Sequence, residues 1–349
     1  MISETRNLTL RSGEPVEASI VRAPDRDWAD RLVRMLSHKG DPWNWQNSEL
    51  LTSETGLDAR FFVLHRQGSP FANIMLVDAA GAGILGHVWT EPRDRRSGAS
   101  SMLMELVLED FRARGGQALF LATDYEGPAW NYYRRWGFEP VERGSGYMAR
   151  YETNAGEFDA TWFGASQARV EPLDWPHWPG AVPLFLGPWP GAIRIAATKL
   201  IGRQSPEEAI LPILRDQRAM MSAGEPGVAT ILQATDGPAV LGFASRYPDR
   251  FWPRRTIVDL YCHPRWWHRA GDLLAGIRWV DGEQIVAYCD ADLAPKLAVL
   301  ERVGLRPVAV LPRWIAGGPA DKASIDVTVF RGFASATPKS GGHPTDAGL

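Results

Sequence analysis

The feature that most constrains the fold is a basic, glycine-containing turn that joins a strand to a helix. Residues 90–100 read TEPRDRRSGAS, and an apolar helical run follows over residues 101–114. Backbone N–H groups at a helix start have no partners within the helix, and the helix dipole places partial positive charge there. Gly98 allows a close approach to the backbone because it has no side chain. The turn therefore predicts a cradle for an anion such as a pyrophosphate, with Arg95 and Arg96 adding charge.

A second motif follows the predicted helix. Residues 118–123 (ALFLAT) form a short apolar run that suits a buried strand. Residues 129–141 (AWNYYRRWGFEPV) predict a helix that ends at Gly137 and re-enters a strand. The order is therefore strand, basic turn, helix, strand, helix, strand.

These two motifs resemble those of the GNAT superfamily of acyl-CoA N-acyltransferases. The pyrophosphate loop of that family has the form Arg/Gln-x-x-Gly-x-Gly/Ala; Arg95 and Gly98 match it, and Ser100 departs from it at the last place. The family's later motif is alanine, three residues, tyrosine, three residues, Gly-Phe. It is matched here by Ala129, Tyr133, Gly137 and Phe138.

Composition limits the other possibilities. A chain of 349 residues with 45% hydrophobic residues can hold two domains, and its net charge of −3 gives no reason to expect nucleic acid or an acidic membrane surface as a partner. Cys262 and Cys289 are the only cysteines, so we expect no disulfide scaffold and a reduced cytoplasm. The seven histidines lack ligand spacing, so no metal site is expected. We expect no signal peptide and no membrane span.

Internal repetition is the second major clue. Residues 88–92 recur at 259–264, each followed by an apolar helical run, and residues 137–141 (GFEPV) recur at 304–308 (GLRPV). We therefore expect an α/β fold of two tandem GNAT-like domains, each a central mixed, mostly antiparallel sheet flanked by helices. The expected divisions are a flexible N-terminus over 1–15, a catalytic domain over 16–151, a linker over 152–166, a degenerate domain over 167–332 and a flexible tail over 333–349.

Periodicity and breaker residues give the elements of each copy. In the first copy we expect strands near 18–23, 60–66, 71–78, 83–90, 117–123, 138–142 and 146–151, with helices near 26–38, 46–53, 98–114 and 127–136. In the second we expect strands near 227–234, 238–246, 255–262, 284–289, 306–312 and 324–331, with helices near 267–280 and 292–303.

The two copies differ chemically. The positions of the second copy that correspond to Arg95, Gly98 and Ser100 hold Trp267, Ala270 and Asp272, and Leu300 stands in the place of Tyr133. An aspartate at a phosphate-facing helix start repels an anion. The second copy is therefore expected to bind no CoA in the usual manner. Its expected role is to cover the first copy and shape its acceptor cleft, with a second active site as the alternative.

The resemblance implies how acyl-CoA is held. In this family the cofactor lies in a splay between two parallel strands, here the strand that ends at Thr90 and the strand at 118–123. Backbone amides near Trp89 and Thr90 are expected to hold the pantetheine and to polarise the thioester carbonyl. The full set of expected cofactor-binding residues is Trp89, Thr90, Arg95, Arg96, Ser97, Gly98, Ala99, Ser100, Asn131 and Tyr133.

Two residues are candidates for proton transfer. The family position of Tyr133 implies a general acid toward the CoA sulfur, and a phenol pKa of about 10 lies close enough to a thiol pKa of about 8.5 for that transfer. His87 is a candidate general base because its pKa suits neutral pH, but strand alternation turns it away from Val88 and Thr90 unless the strand has a bulge. Glu91 and a chain of water molecules are the alternatives.

The acceptor is expected beside the connection between the first two helices. Asp41, Trp43 and Trp45 can cradle a cationic amine, or both tryptophans can pack on the second copy. Asp124 can orient the amine or cap a helix.

The expected function is transfer of an acyl group, by default acetyl from acetyl-CoA, to a small-molecule primary amine by a monomer or homodimer in the cytoplasm. The alternatives are a non-catalytic CoA-binding or scaffold protein and an acyl-thioester hydrolase or decarboxylase.

Overall fold

The computed structural model describes residues 2–225, 227–250, 252–316 and 324–334. Within these ranges the chain forms two large mixed sheets and one short hairpin, with helices on the sheet faces. Each large sheet is antiparallel except for one parallel pair of strands. The expected mixed α/β fold with mostly antiparallel sheets is confirmed.

The first sheet has eight strands in the order β1-β2-β3-β4-β5-β6-β8-β7. Its strands are β1 (Ile2–Thr9), β2 (Pro15–Arg22), β3 (Asp58–Arg66), β4 (Ser69–Ala79), β5 (Ala82–Thr90), β6 (Ala118–Ala122), β7 (Glu139–Pro140) and β8 (Tyr147–Tyr151). The helices of this half are α1 (Arg26–Leu36), α2 (Trp43–Thr52), α3 (Ala99–Ala113), α4 (Pro128–Arg134) and α5 (Ala155–Trp162).

Helices cover both faces of the first sheet. On one face lie α1 and α2; α1 begins where the Asp25 carboxylate accepts hydrogen bonds from the N–H groups of Asp27 and Trp28. On the other face lie α3 and α4, and α3 buries Leu103 and Val107, four residues apart on one helix surface. The central strands β3 and β4 are therefore covered on both sides, which explains their nearly continuous apolar runs.

The second sheet has seven strands in the order β16-β17-β15-β14-β13-β12-β9. Its strands are β9 (Ala168–Pro172), β12 (Ala229–Ala234), β13 (Val240–Pro248), β14 (Arg255–Cys262), β15 (Gln284–Asp290), β16 (Arg306–Ala316) and β17 (Ser324–Phe333). The hairpin consists of β10 (Ile193–Ile195) and β11 (Leu200–Ile201). The helices of this half are α6 (His177–Leu186), α7 (Glu207–Ser222), α8 (Ala270–Ala275) and α9 (Ala294–Arg302).

The two sheets have the same connectivity once β1 is set aside. From β2 onward, the strand order β2-β3-β4-β5-β6-β8-β7 corresponds position by position to β9-β12-β13-β14-β15-β17-β16. The parallel pair is β5–β6 in one sheet and β14–β15 in the other, and each pair is joined through one α-helix, α3 or α8. Two sheets of this kind are consistent with two GNAT-like domains.

The two halves pack closely on each other. All residues of α6 are buried, and this helix contacts β4 and β5 of the first sheet as well as β13 of the second. Trp45 stacks on Trp175 with ring centroids 5.2 Å apart, and Asp41 forms an ion pair with Arg215 at 3.1 Å. One continuous hydrophobic core therefore includes residues of both halves.

Three sequence-based expectations need correction. The N-terminus is not flexible over 1–15, because Ile2–Thr9 pairs along β2 as an added edge strand. The linker over 152–166 contains α5, whose Phe158 and Trp162 are buried in the core. The helix expected at 267–280 is only Ala270–Ala275, preceded by a 3₁₀ segment over Pro264–Arg269. Of the expected tail at 333–349, residues 335–349 lie outside the described residues.

Candidate active site

A gap opens between the two parallel strands of the first sheet. The pairing of β5 with β6 runs only from Ala82↔Ala118 to Ile84↔Phe120, although β5 continues to Thr90. Beyond Ile84, the edge of β5 that faces β6 therefore lacks a strand partner. We call this gap the first splay. Unpaired strand edges accept a ligand with amide groups as they accept another strand.

The turn after β5 forms the expected anion cradle at one end of the first splay. Gly98 has a left-handed conformation with φ of 92° and precedes Ala99, the first residue of the 15-residue helix α3. No side chain caps this helix, and within the described ranges the N–H groups of Gly98, Ala99 and Ser100 donate no hydrogen bond to the protein. The buried hydroxyl of Ser97 also has no partner among the described residues. These polar groups fit a bound pyrophosphate.

The charge of the loop is positive. Arg95 and Arg96 are exposed, and Arg96 has a φ of 66°. The turn has two acidic residues, Glu91 and Asp94; Asp94 is buried and forms a 2.8 Å ion pair with Arg66 of β3. The negative charge of Asp94 is thus largely offset, and Arg93, Arg95 and Arg96 are exposed, so positive charge predominates in the turn.

A further arginine, which the sequence analysis does not identify, lies against this loop. Arg11 belongs to the turn between β1 and β2, and its N–H donates a 3.0 Å hydrogen bond to the carbonyl of Ser97. Its side chain covers Gly98, where a Cβ atom would lie 3.1 Å from the Arg11 Cγ. No local pattern indicates this contact, because it depends on the added strand β1.

The last residues of β5 place aromatic and cationic groups beside the splay. Trp89 packs against His38, with ring centroids 3.8 Å apart. The Arg95 guanidinium lies 5.1 Å from the centre of the Trp89 ring, and its Nε donates a 3.3 Å hydrogen bond to the carbonyl of Thr90. The Arg95 side chain is thus folded back over the end of the strand.

Tyr133 lies on α4, on the same face of the sheet as α3. It is 7% exposed and packs against Phe138 and Tyr132. Its hydroxyl forms no hydrogen bond within the described part of the chain, and burial raises its pKa above the usual value. The phenol therefore keeps its proton at neutral pH, and it is a weaker acid here than the unperturbed phenol whose pKa lies close to that of a thiol. Asn131, two residues before Tyr133, is exposed and donates to the carbonyl of Gly127 at 3.2 Å.

Tyr132 differs from its neighbour. Its hydroxyl donates a 2.7 Å hydrogen bond to the carbonyl of Ser100 in the first turn of α3. Tyr132 therefore ties α4 to the start of α3, whereas Tyr133 has an uncommitted hydroxyl.

A bulge in β5 decides the direction of His87. The register of β4 with β5 shifts between Asn73↔Trp89 and Met75↔Gly86, and His87 has a φ of 50°. The Asn73 side chain donates a 3.0 Å hydrogen bond to the carbonyl of His87, which closes the bulge. As a result, His87 and Trp89 both lie on the face that carries α1 and α2.

The surroundings of His87 make it a poor base. Its Nε2 lies 2.6 Å from Oε1 of Gln46 on α2, and Trp43 lies edge-on 5.5 Å away between ring centroids. Burial first, and then the charges of Lys39 and His38, lower its pKa to about 3. The imidazole is thus neutral at pH 7, but its conjugate acid is far too strong for it to take a proton from an ammonium group.

The expected acceptor residues divide into two groups. Asp41 and Trp45 contact the second half, through Arg215 and Trp175 respectively, so they contribute to the packing of the halves. Trp43 packs beside His87. Asp124 is exposed after β6, and its backbone carbonyl accepts from the N–H of Gly127 before α4 begins.

The second sheet has a corresponding gap, but the chain itself fills it. The pairing of β14 with β15 ends at Val258↔Ala287, and we call the gap beyond it the second splay. The β10–β11 hairpin contacts both strands there. The buried carboxylate of Asp259 accepts hydrogen bonds from the N–H groups of Ala196 at 2.6 Å and Ala197 at 3.1 Å.

The other side of the second splay holds the hairpin in the same way. The Asp290 carboxylate accepts from the N–H groups of Ala192 at 2.5 Å and Ile193 at 2.9 Å. The fully buried Lys296 of α9 donates to the carbonyl of Ile193 at 3.1 Å. Trp266 and Trp267 are buried where the first half has its basic loop. The hairpin thus takes the place that an extended ligand has in an open splay.

No group of three or more His, Cys, Asp or Glu side chains in the described ranges is arranged to hold a metal ion. No described helix has the length and apolar character needed to cross a bilayer.

One family model matches part of the first half. The sequence model of the acetyltransferase (GNAT) family matches residues 27–138. No curated protein matches the chain.

The chain is also similar to solved structures. One is an acetyltransferase of the GNAT family from Staphylococcus aureus Mu50, with 15% identity and a TM-score of 0.33, over 38% of this chain and 98% of that one. Another is a putative acetyltransferase from Salmonella typhimurium solved with its cofactor acetyl-CoA, with 15% identity and a TM-score of 0.35, over 50% and 99%. A third is a GNAT superfamily phosphinothricin acetyltransferase from Sinorhizobium meliloti in complex with acetyl-CoA, with 14% identity and a TM-score of 0.37, over 51% and 96%.

The matched range includes His87, the basic loop and Tyr133, and it spans both strands of the first splay. The match to the acetyltransferase (GNAT) family model thus covers the part of the chain that holds the candidate site.

Proposed function

We propose that the chain is an N-acetyltransferase that moves the acetyl group of acetyl-CoA to a small-molecule primary amine by direct attack, with one working site in the first half. The observation that supports this most is the combination of the open first splay with the uncapped start of α3. The free N–H groups, the unpartnered Ser97 hydroxyl and the exposed arginines suit the phosphates, and the unpaired edge of β5 suits the pantetheine amides.

The reaction needs three things from the protein. Acetyl-CoA supplies an acyl group on a thioester; the C–N bond forms as the C–S bond breaks, and the leaving thiolate takes a proton. Backbone N–H groups on the unpaired edge of β5 can stabilise the oxygen charge that develops at the carbonyl. The Tyr133 hydroxyl, protonated and without a partner in the described residues, supplies the proton to the thiolate.

His87 is assigned a positioning role in this proposal. With a pKa of about 3 it does not deprotonate the amine. Its hydrogen bond to Gln46 and its contact with Trp43 instead fix α2 against the bulge of β5. The proton of the amine must therefore pass to another acceptor, such as solvent or a carboxylate of the acceptor cleft.

The second half is proposed to be a second copy of the same unit that no longer binds CoA. Its sheet has the same strand order, which supports the repeat. The filled second splay and the buried tryptophans in place of the basic loop support the loss of the cofactor site.

Calorimetric titration of the whole chain with acetyl-CoA tests this proposal. One site is expected, and the double variant Arg95→Glu with Gly98→Glu is expected to abolish binding by placing two carboxylates in the cradle. The matched control is Arg302→Glu with Gly282→Glu, at an exposed arginine and at a glycine of similar positive φ (74°) with open space around it. Absence of acetyl-CoA binding by the unaltered protein would overturn the proposal.

Thiol release from acetyl-CoA distinguishes the reaction classes. Release that requires an added amine supports the transferase. Thiol release without any amine would assign the protein as a thioester hydrolase instead. Binding of acetyl-CoA without thiol release, when many different amines are tested, would assign it as a CoA-binding protein.

A further inference from the structure

A cavity of about 290 Å³ lies between the two halves. Tyr147 of β8 and Pro42, in the connection between α1 and α2, line it from the first half. The second half supplies most of its wall, including Lys199, Ser205, Glu208 and Arg250. Its volume is near the lower end of ligand pockets, roughly 300–1,000 Å³, which suits a small ligand.

The cavity lies next to the first splay. Tyr147 pairs with Ala122, the last residue of β6, and β6 forms one side of that splay. The Tyr147 side chain packs on the face of the sheet that carries α1 and α2, the face to which the bulge also directs His87. A ligand in the cavity is thus close to the end of β6, which lies across the first splay from β5, the strand along which the thioester is proposed to lie.

Acidic groups surround the end of the cavity at Tyr147. Glu208 lines the cavity, and Glu207 is buried behind it, where the Ser205 hydroxyl donates to its carboxylate at 2.6 Å. Burial and then the charges of Glu207 and Glu208 raise the Tyr147 pKa. Burial also raises the pKa of Glu207 to about 7, so that carboxylate exchanges a proton near neutral pH. This end of the cavity favours a cation.

The remaining charges of the cavity are positive. Lys199 lies in the turn of the β10–β11 hairpin, and Arg250 lies in the connection between β13 and β14. Both are exposed, and neither forms an ion pair with another described residue. Glu208, Lys199 and Arg250 thus give the wall of the cavity charges of both signs.

We propose that this cavity binds the acceptor as a free α-amino acid, with its ammonium group beside Glu208 and Tyr147 and its carboxylate on Lys199 and Arg250. The inference rests on the proposed function, because it names the substrate class of that acetyl transfer. Charge-assisted hydrogen bonds at both ends of the ligand would fix its orientation, with the amine toward the splay. The second half thus supplies the acceptor specificity of the site in the first half.

The test compares an amino acid with relatives that lack its carboxylate. Acetyl-CoA thiol release is measured with each common α-amino acid and then, for the best one, with its amide and its decarboxylated amine. Loss of a charged hydrogen-bond partner costs about 1.5–3 kcal/mol, so kcat/KM is expected to fall by about 10-fold or more for both relatives.

Variants connect the effect to the cavity. The double variant Lys199→Gln with Arg250→Gln is expected to raise KM for the amino acid about 10-fold or more and to leave KM for acetyl-CoA unchanged. In this variant the ratio of kcat/KM for the amino acid to kcat/KM for its amide is expected to fall. The control pairs Arg26→Gln with Glu54→Gln, two exposed positions away from the cavity. Equal kcat/KM values for the amino acid and its amide in the unaltered protein, or an unchanged ratio of the two values in the double variant, would overturn the proposal.

A second measurement separates this proposal from the proposed function. Binding of the amino acids is titrated calorimetrically in the presence of CoA. If CoA binds and no amino acid does, the amino acid assignment is wrong and the cofactor site stands. If acetyl-CoA does not bind at all, the proposed function itself falls.

Discussion

The backbone N–H of Arg11 donates a 3.0 Å hydrogen bond to the carbonyl of Ser97, which joins the β1–β2 turn to the loop before α3. The side chain of Arg11 lies over Gly98, beside the unpartnered N–H groups at the helix start. The added N-terminal strand therefore brings a further arginine to the loop that holds Arg95 and Arg96.

The first prediction concerns Arg11. In Arg11→Gln, the dissociation constant for CoA is expected to rise about 10-fold at low salt, because one charge-assisted contact to a phosphate is lost. The difference is expected to shrink as the salt concentration rises. Titration calorimetry at two ionic strengths measures both effects, with Arg26→Gln as the control. Equal affinities at low salt would exclude Arg11 from the cofactor site.

The second prediction concerns Tyr133. In Tyr133→Phe, kcat is expected to fall by about 10²–10⁴-fold because the leaving thiolate loses its proton donor, whereas the Kd for acetyl-CoA changes less than about 2-fold. The matched control is Tyr132→Phe, which removes the hydrogen bond to Ser100 but no catalytic proton. A Tyr133→Phe enzyme with unaltered kcat would show that another group, or solvent, protonates the thiolate.

The third prediction concerns His87. Because its pKa is lowered to about 3, His87 should contribute no ionisation to kcat/KM between pH 5 and pH 8. His87→Leu is expected to lower the free energy of unfolding by about 1–3 kcal/mol, since Oε1 of Gln46 loses its partner. Chemical denaturation measures the loss, and the pH profile of kcat/KM is recorded for both proteins. Loss of an inflection near pH 6–7 in the variant would restore His87 as the base.

The fourth prediction concerns Asp259 in the second splay. In Asp259→Ala, the free energy of unfolding is expected to fall by about 3 kcal/mol, because two buried N–H groups lose their acceptor. The CoA stoichiometry should stay at one, because Trp267 and Asp272 still stand at the loop of the second half. The control Asp272→Ala, at a half-exposed ion pair, should change stability by less than about 1 kcal/mol. A second CoA site in Asp259→Ala would mean that the hairpin alone excludes the cofactor.

The fifth prediction concerns Glu207 and pH. Its pKa is raised from 4.5 to about 7 in the folded protein, so between these values the folded state holds a proton that the unfolded state lacks. Its contribution to stability therefore grows as pH falls through 7 and is lost as pH rises above it. The lowered pKa of His87 has the opposite effect. Below pH 6.5 the unfolded state binds a proton at His87 before the folded state does, so this contribution to stability falls as pH falls.

Comparing the free energy of unfolding of the unaltered protein with that of Glu207→Gln isolates the contribution of Glu207, because both proteins contain the same histidines. From pH 8 to pH 5.5, stability of the unaltered protein relative to the variant should rise by up to about 1.4 kcal/mol per pH unit. Denaturant titrations give the free energy of unfolding of each protein at each pH. If the two free energies change in parallel across this range, a raised Glu207 pKa is contradicted.

Local sequence was sufficient for the elements that carry the cofactor site. The apolar spacing of Leu103 and Val107 predicts the buried face of α3, and Gly98 predicts the left-handed residue before it. The recurrence of the strand–turn–helix pattern predicts a second sheet of the same kind. These features depend on neighbours within about ten residues, and for that reason they are readable from periodicity and from glycine and proline positions.

Local sequence was misleading where packing between distant segments decides the outcome. The N-terminal residues have the composition of a tail, but Ile2–Thr9 pairs with β2. Residues 152–166 have the position of a linker, but they include α5, one face of which is buried against the core. The 172–191 region, rich in Trp, Pro and Gly, gives no clear periodicity and still forms α6, and the hairpin follows it.

The sequence by itself predicted an anion-binding turn, a candidate proton donor at Tyr133 and two units of one design. Only the tertiary structure decided that a bulge turns His87 toward α2 and lowers its pKa, that Arg11 joins the loop and that Asp259 and Asp290 fix the hairpin in the second splay. The physical reason is that each of these depends on contacts between residues 41 to 98 positions apart, such as His87 with Gln46 and Ala192 with Asp290. Such contacts are fixed by sheet register and by the packing of one half on the other, which no local pattern encodes.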